Sequence, residues 1–577
     1  MNVLLWVTAG IFALGVVLWV AGDVAALVSI RHVPRSGGLT SGVGVLIHAS
    51  RPARAWPPGS RVPGPAAYWA TLLALAAVVA GATVITWRLV NRSKSSPKAL
   101  RRRIHATPGV ATRAEVARYA GPRALAARAE TVRPGLAATT RVQLGDAGYR
   151  IGRSHGIDVW VSVEDSILIV GPPRSGKGLF LVINMILDAP GAVITTSTRA
   201  DSLAATYEAR KKVGPVSIFD PQGLAGMPAG LRWSPISGCE VPRTAMVRAA
   251  ALAASTGLGK GGVSDGNFWQ DQTKAALQSL LHAAALDGAR IDRLFRWSLD
   301  PVAAEDAIDI LRHHPAAAVG WEDGIEAAIH ADPRTRDSIW LGVRQSLSSL
   351  ADPTVRAAVD PDEGEAFDPE AFLTSRGTLF LLGTGTGVGA AAGLLAALVE
   401  DVTEAARRLA ARSAGARLDP PLALILDEIA NLSPLPSLPT LMADGGGTGI
   451  TPIVVLQSLS QARSKWEPEA AGAIWDAAIA KVILGGGSNA RDLKELSDLI
   501  GHRDDRTISL SHGPDGRRSS STSQRRLEIL APDAIRSLPF GTGLLLLRAS
   551  APVVLDLESW ERDQVRLNGH RADTTAR

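Results

Sequence analysis

The chain has 577 residues, of which 46% are hydrophobic and 20% are charged, and its formal net charge is +6. This length exceeds one ordinary domain and predicts two to four folded units. The composition is apolar for a soluble protein, so membrane segments are expected, and the positive charge favours anionic partners such as nucleic acid or lipid headgroups. The single cysteine, Cys239, excludes an internal disulfide framework and most zinc sites.

Two apolar runs open the chain. Residues 3–30 contain one charged residue, Asp23, and residues 66–90 contain only Arg88 near their end. Each run is long enough to cross a bilayer as a helix. A cleaved signal peptide is the alternative for the first run, but no basic residue precedes its apolar core, which is also longer than a usual signal-peptide core. A buried core helix is the alternative for the second. We therefore predict a two-helix transmembrane anchor, with helices over 1–30 and 65–91 and an extracytoplasmic loop over 31–64.

Charge alone does not orient this anchor. Basic residues crowd the end of the second run, yet the intervening loop also carries several arginines and no acid. The positive-inside rule therefore does not determine which side of the membrane the loop occupies. A nucleotide site downstream decides the matter, because ATP is cytosolic. We predict a multi-pass protein of the cell membrane (plasma or inner membrane) with the bulk of the chain in the cytoplasm.

A phosphate-binding loop follows a basic linker, which we place over residues 92–150. The apolar strand Ile167–Val170 leads into the turn Gly171–Gly176, then Lys177, then an apolar helix. A nucleotide cradle needs these four parts in this order, because turn N–H groups, a lysine and a helix N-terminus bind phosphates. Gly178 stands where a magnesium-ligating Ser or Thr is expected. The predicted nucleotide-binding residues are Gly171, Pro172, Pro173, Arg174, Ser175, Gly176, Lys177, Gly178 and Leu179.

Two further strand ends carry polar groups that suit hydrolysis. The apolar run 421–426 ends in Asp427 and Glu428. A carboxylate in that place holds magnesium, and the next one polarises the attacking water. The run 452–456 ends in Gln457, which can sense the terminal phosphate or orient the water, although an ordinary strand terminus has the same appearance. With the Lys481–Leu484 strand, these units predict a parallel α/β sheet, with ATP and Mg²⁺ as cofactors.

At this point the sequence resembles a known family, the type IV secretion coupling proteins. These are TraG/TraD-like conjugation ATPases of the FtsK–HerA branch of RecA-like motors. The matching segments are "GPPRSGKG" (171–178), "VITTSTRADSL" (193–203), "LILDEIANL" (424–432), "VLQSLSQARSKW" (455–466) and "LAPDAIRSLPFGTGLLLL" (530–547). The resemblance implies that Lys177 binds phosphate and Asp427 handles magnesium. It also implies that Glu428 activates water and that Gln457 is the sensor glutamine.

The resemblance also implies the domain order. Family members insert an all-α domain into the motor, and helical apolar spacing supports one here. The predicted fold is therefore an α/β RecA-like motor with an all-α insertion and the transmembrane anchor. We place the first part of the motor at 151–239, the insertion at 240–375, the second part of the motor at 376–556 and a polar tail at 557–577. Within the second part, the Gly/Ser/Arg-rich segment 512–526 is predicted to be a solvated loop, with contact to phosphates as the alternative.

By the same resemblance the protein is an ATPase and DNA translocase. It would recruit and transport DNA, single-stranded or relaxase-bound, into a conjugation channel, with the relaxosome, channel proteins and the membrane as partners, and would act as a homo-hexamer. Two alternatives stay open. One is a protein-export or partner-recruiting ATPase that handles no DNA. The other is a nucleotide-binding scaffold with little hydrolysis.

One departure from the family concerns the arginine that a neighbouring subunit supplies to the transferring phosphate. Coupling proteins often place it between the Asp427–Glu428 pair and the sensor glutamine, but residues 444–449 contain no arginine. The replacement candidates are Arg463, Arg491, Arg503 and Arg506, with Arg491 first because it follows a glycine turn at a strand end.

Overall fold

The structure is a computed structural model, and it describes most of the chain. The described residues are 2–31, 37–94, 97–138, 142–226, 230–259, 266–362, 364–384, 391–431, 435–512 and 518–561, without the side chains of 2–11, 13, 88–94 and 506–521. The chain divides into two compact units, Met1–Leu100 and Arg101–Arg577.

The first unit is helical. Its helices are Asn2–Ile30, Gly38–Ile47 and Pro65–Lys94, with a 3₁₀ turn at Pro52–Ala55. Trp56 and Tyr68 are buried together with their rings edge to face, and the Tyr68 hydroxyl donates to the carbonyl of Leu18 at 2.7 Å. Aromatic packing therefore joins the two long helices and the segment between them.

Only part of the predicted two-span anchor has structural support. Within the residues whose side chains are described, Pro65–Trp87 is the one helix long and apolar enough to cross a membrane. The described apolar stretch of the first helix, Leu14–Ile30, falls below that length. The second predicted span therefore agrees with the structure, whereas a multi-pass arrangement does not follow from it.

An eleven-stranded sheet forms the centre of the second unit. Its strands are β1 (Gly148–Ser154), β2 (Ile157–Ser162), β3 (Ile167–Val170), β4 (Val193–Ser197), β5 (Val216–Phe219), β6 (Thr378–Leu382), β7 (Leu422–Leu426), β8 (Ile450–Leu456), β9 (Ala480–Leu484), β12 (Thr542–Leu547) and β13 (Val553–Asp556). A separate hairpin pairs β10 (His502–His512) with β11 (Arg518–Glu528). The order in the sheet is β2-β1-β13-β12-β9-β3-β8-β7-β4-β6-β5.

Seven neighbouring strands, from β9 to β5, run parallel, and the four beyond β9 are antiparallel to their neighbours. Most residues of the parallel strands are buried, because helices cover both faces of the sheet. Strands β3, β7 and β8, for example, are buried at every residue. The mixed α/β fold agrees with the prediction.

The described residues between β5 and β6 form helices and loops and no strand. The α-helices are Pro242–Ser255, Gly266–Leu286, Ile291–Leu299, Glu305–His313, Trp321–Ile329, Pro333–Ser346, Pro353–Ala358 and Pro369–Thr374. Three of them begin at an Asp-Pro pair, where Asp332, Asp352 or Asp368 accepts hydrogen bonds from the first turn. Such pairs favour helix starts, because proline needs no N–H bond at the first position and aspartate caps the free donors. Apolar residues of these helices belong to the same buried core as one face of the sheet.

Further helices cover the sheet. They are Ile183–Asp188, Asp201–Arg210, Ala392–Ala411, Leu438–Asp444, Leu459–Ala477, Ala490–Ile500 and Pro532–Arg536, together with a π-helical turn at Gly178–Val182 that precedes the first of them. They connect successive strands, as the predicted strand–turn–helix units require.

The predicted linker is more ordered than we expected. Short helices occupy Pro97–His105, Arg113–Tyr119, Pro122–Ala126, Ala129–Val132 and Leu144–Ala147. Val116, Leu125 and Val132 are buried in the core on the second face of the sheet, and β1 already begins at Gly148. These apolar residues are spaced too widely along the sequence to form a long amphipathic face, so the sequence alone resembles a polar linker.

The loop prediction for 512–526 is wrong for most of its length, because β10 and β11 form an antiparallel hairpin. Only 513–517 lie outside the described residues. The tail also begins later than predicted. Leu557 is buried, and Glu558 forms a 2.7 Å ion pair with Arg150, while 562–577 lie outside the described residues.

Candidate functional site

Three predicted site segments meet at one edge of the sheet. Strand β8 lies between β3 and β7, with Val170 opposite Leu456 and Leu426 opposite Val454. Parallel strands end at the same edge. Each of these strands is followed directly by a predicted site residue: Gly171, Gln457 or Asp427. The structure therefore brings the predicted phosphate loop, Gln457 and the Asp427–Glu428 pair together.

The phosphate loop has the backbone that an anion cradle needs. Gly171 N–H donates to the Leu456 carbonyl at 3.1 Å, which anchors the start of the loop to β8. Arg174 and Gly176 have φ of 64° and 92°, so the chain turns sharply before Lys177. A helical segment starts at Gly178. Its free N–H groups and its dipole face the loop, which suits bound phosphate.

Lys177 is half-buried in this loop. Its Nζ donates to the carbonyl oxygens of Gly171 at 2.7 Å and Pro172 at 3.2 Å. Burial lowers the pKa of Lys177, and the neighbouring carboxylates of Asp427 and Glu428 oppose that shift. The ammonium is therefore held by the loop and is close enough to the acidic pair to interact with both carboxylates.

The residues present fit a magnesium ion. Burial raises the pKa of Asp427 to about 6; Glu428 adds to the shift, and Lys177 opposes it. The Oδ1 atom of Asp427 is buried without a hydrogen-bond partner among the described residues. A buried, unpaired carboxylate oxygen is costly unless a cation or donor completes it. Asp427 would hold Mg²⁺, directly or through water.

There is space for a serine or threonine side chain at Gly178, where the expected hydroxyl is missing. A side-chain carbon added at Gly178 would have no neighbour within 4 Å. The position is also outside the left-handed region, since Gly178 is absent from the glycines with positive φ. The glycine is therefore not required by space or by backbone conformation.

Glu428 has a partner that the sequence did not reveal. Thr198 follows β4, and the pairing of Thr196 with Leu426 puts Thr198 level with Glu428. The Thr198 hydroxyl donates to Oε2 of Glu428. Glu428 itself has φ of 53°, uncommon for a residue with a side chain. One indication of this contact was present in the sequence: Thr198 is a polar residue directly after β4, the strand that pairs with β7.

Gln457 is half-buried at the end of β8. Its N–H donates to Oε1 of Gln461 at 3.0 Å, and Ser458 caps the helix that follows. Gln457 therefore follows a strand that lies between β3, which leads into the Lys177 loop, and β7, which leads into Asp427. The predicted site residues all lie at this edge of the sheet: residues 171–179, Asp427, Glu428 and Gln457.

The arginine candidates have different surroundings. Arg463 contacts both Asp492, at 2.9 Å, and Glu495. Arg491 is the most exposed, with 76% of its side chain accessible, and it pairs only with Glu495 among the described residues. Arg503 is partly buried, and the side chain of Arg506 lies outside the described residues. Arg491 remains the first candidate for acting on a neighbouring subunit.

Comparison with known proteins agrees with this fold. Residues 421–540 match the family described as the TraM recognition site of TraD and TraG. The bacterial conjugative coupling protein TrwBdeltaN70, in its unbound monoclinic form, has a similar fold, with a TM-score of 0.53 and 18% identity over 74% of this chain and 91% of that one. The resemblance to the type IV secretion coupling proteins is confirmed.

A second solved structure of this coupling-protein fold is the plasmid coupling protein TrwB in complex with ADP and Mg²⁺. It matches with a TM-score of 0.52 and 18% identity, over 74% of this chain and 92% of that chain. No curated protein matches the sequence. At this identity the likeness establishes the coupling-protein fold, and the roles of individual residues rest on the geometry above.

Proposed function

We propose that the protein is a membrane-anchored ATPase that uses ATP hydrolysis to recruit and move DNA, with its attached relaxase, into a type IV secretion channel. The observation that carries this proposal is the meeting of Lys177, Asp427, Glu428 and Gln457 at the ends of β3, β7 and β8. Phosphoryl transfer to water needs little covalent chemistry, so positioning and charge at such an edge are its main requirements.

Each residue has a distinct task in this scheme. The N–H groups of 174–178 and the ammonium of Lys177 bind the β- and γ-phosphates. Magnesium, when bound, neutralises phosphate oxygens and orients them for in-line attack. Glu428, once it leaves the Thr198 hydroxyl, accepts a hydrogen bond from the attacking water and later its proton. Gln457 contacts the γ-phosphate and links its presence to the helix that starts at Leu459.

The proposed partners rest on the similarity to coupling proteins and not on the geometry of the nucleotide site. The matched family is described by recognition of TraM, so residues 421–540 are our proposed contact with a relaxosome component. DNA, the relaxase and the channel proteins are the remaining partners. A homo-hexamer places an arginine of one subunit, with Arg491 first, at the γ-phosphate of the next. The membrane anchor comprises residues 1–91, with the bulk of the chain cytoplasmic.

A scaffold with little hydrolysis is the second candidate. Gly178 favours it, because the hydroxyl that usually completes the magnesium shell is absent, and so does the engagement of Glu428 by Thr198. A protein-export ATPase shares every feature of the site and differs only in cargo.

Replacing Glu428 by glutamine tests the proposal. Glu428→Gln keeps the size and hydrogen-bonding capacity of the side chain but cannot take the proton, so the variant should bind ATP normally while hydrolysis falls by at least about 100-fold. Plasmid transfer in a mating assay should stop. Glu208→Gln, an exposed glutamate on the 201–210 helix, is the matched control. Normal transfer by Glu428→Gln would contradict the proposal, and binding without turnover in the unaltered protein would favour the scaffold.

A further inference from the structure

An exposed aromatic ring lies beside the phosphate loop. Phe540 is 62% exposed, and its ring contacts that of Phe180 edge to face, with centroids 5.0 Å apart. Both rings cover Gly176, since a side-chain carbon placed there would lie 2.5 Å from Cδ2 of Phe180 and 3.1 Å from Cε2 of Phe540. Phe540 is therefore at the rim of the cradle, next to the residue before Lys177.

The fold holds Phe540 in this place. It precedes β12, which is antiparallel to β9, so the start of β12 lies at the same edge as the ends of β9 and β3. A turn bond joins Thr542 N–H to the Pro539 carbonyl at 2.9 Å, and Leu557 N–H donates to the Gly541 carbonyl at 2.9 Å. The loop after β9 packs against the same segment, with Gly486 N–H on the Arg536 carbonyl at 2.8 Å. The ring is thus presented from a fixed loop.

One exposed aromatic ring is common on protein surfaces, but the ring of Phe540 lies directly beside Gly176 of the phosphate loop, where a bound nucleotide can reach it. The phosphates of a nucleotide in the 171–178 loop leave its sugar and base close to the rim of that loop. Aromatic side chains stack on nucleobases with little preference between them, because every base offers a π-face.

We propose that Phe540 stacks on the base of the bound nucleotide and so contributes base affinity that the phosphate loop cannot supply. This inference rests on the nucleotide site proposed above. Stacking does not read the Watson–Crick edge, so the contact serves adenine and guanine alike. Phe180, which is buried, fixes the orientation of Phe540 from behind.

Binding of ATP, GTP and inorganic tripolyphosphate to the full-length protein in detergent tests this role. Replacing Phe540 by Ala or Leu should weaken ATP and GTP binding by about tenfold or more, as expected for loss of one stacked base. Tripolyphosphate affinity should stay unchanged, because the cradle itself is intact. Phe540→Tyr should retain normal ATP affinity. Phe268→Ala, which removes another exposed aromatic ring from the Gly266–Leu286 helix, is the matched control.

The outcomes separate this inference from the function it rests on. Unchanged ATP affinity in Phe540→Ala and Phe540→Leu would overturn the stacking role while leaving the ATP site standing. Equal loss of ATP and tripolyphosphate binding would show that Phe540 only supports the loop, and would also overturn it. If the unaltered protein bound neither ligand, both the stacking role and the proposed ATPase would fall.

Discussion

At the scale of single residues, Gly178 is the departure whose effect can be measured most simply. Its position has room for a side chain and an ordinary backbone conformation. A hydroxyl at this place normally ligates magnesium. Here a water would take that ligand position, so hydrolysis is expected without the hydroxyl but with weaker metal binding.

Gly178→Ser should therefore tighten Mg²⁺-dependent ATP binding by about two- to tenfold, since the hydroxyl replaces a water instead of filling a vacant position. Magnesium titrations at fixed ATP measure the effect. Gly178→Ala is the matched control, because it adds the side-chain carbon and the better helix propensity without the hydroxyl. Equal gains in the Ser and Ala variants would show that the helix start, and not the metal, had changed.

Asp427 gives a pH-dependent prediction for the metal-free protein. Its pKa is raised from 3.8 to about 6 in the folded state, so the folded protein binds a proton more tightly than the unfolded chain. Stability linked to this group is fully present below the unfolded pKa and is lost as pH rises through about 6. At pH 7 the ionised carboxylate then lowers the free energy of unfolding by roughly 2 to 3 kcal/mol.

Asp427→Asn should accordingly raise the melting temperature of the metal-free protein at pH 7 while abolishing Mg²⁺-dependent hydrolysis. The gain over the unaltered protein should shrink as the pH falls from 6 to 4. Asp271→Asn, at an exposed position, should show no such dependence. A constant difference between pH 4 and pH 7 would contradict the raised pKa.

At the scale of elements, the helix after Gln457 is tied to the next helix. Asp492 accepts hydrogen bonds from the N–H groups of Leu459, at 3.0 Å, and Ser460, at 3.2 Å, and it also pairs with Arg463. A carboxylate at a helix N-terminus is stabilising. Arg463 is thus engaged within its own subunit, whereas Arg491 is free to reach a neighbour apart from its exposed pair with Glu495.

Arg491→Ala should bind ATP normally and lower turnover by roughly 10³-fold or more, if it acts in trans as an arginine finger. It should also inhibit unaltered subunits in mixed rings. Arg463→Ala should instead reduce thermal stability, by about 1 kcal/mol for a partly buried charged pair, with a smaller effect on turnover. Unaltered turnover in Arg491→Ala would remove it as the finger.

The sequence predicts the elements that are apolar and carry a motif. Strands β3, β7, β8 and β9 match the predicted runs to within a few residues, because parallel strands buried on both faces are continuous apolar runs. Hairpin β10–β11 could not be found this way, since it is rich in Ser and Arg, and strand preference depends strongly on context. Thr198 and Phe540 are single residues without a pattern, and only the pairing of strands places them at the site.

At the scale of the whole molecule, Met1–Leu100 and Arg101–Arg577 are separate compact units, so the proposed anchor can be removed without cutting the sheet. Deleting residues 1–90 should give a soluble protein with weaker self-association, because the membrane helices hold subunits at high local concentration in one plane. Sedimentation at micromolar concentration, with and without DNA, measures this. Stable hexamers of the fragment without DNA would show that assembly does not depend on the anchor.

The central claim is that the site at the ends of β3, β7 and β8 hydrolyses ATP in response to DNA. The most direct test is the ATPase rate of the full-length protein in detergent, without DNA and with single- or double-stranded DNA, beside Lys177→Ala. We predict Mg²⁺-dependent turnover that DNA increases and that Lys177→Ala abolishes without unfolding the protein. Turnover that persists in Lys177→Ala, or that no form of DNA changes, would contradict the account.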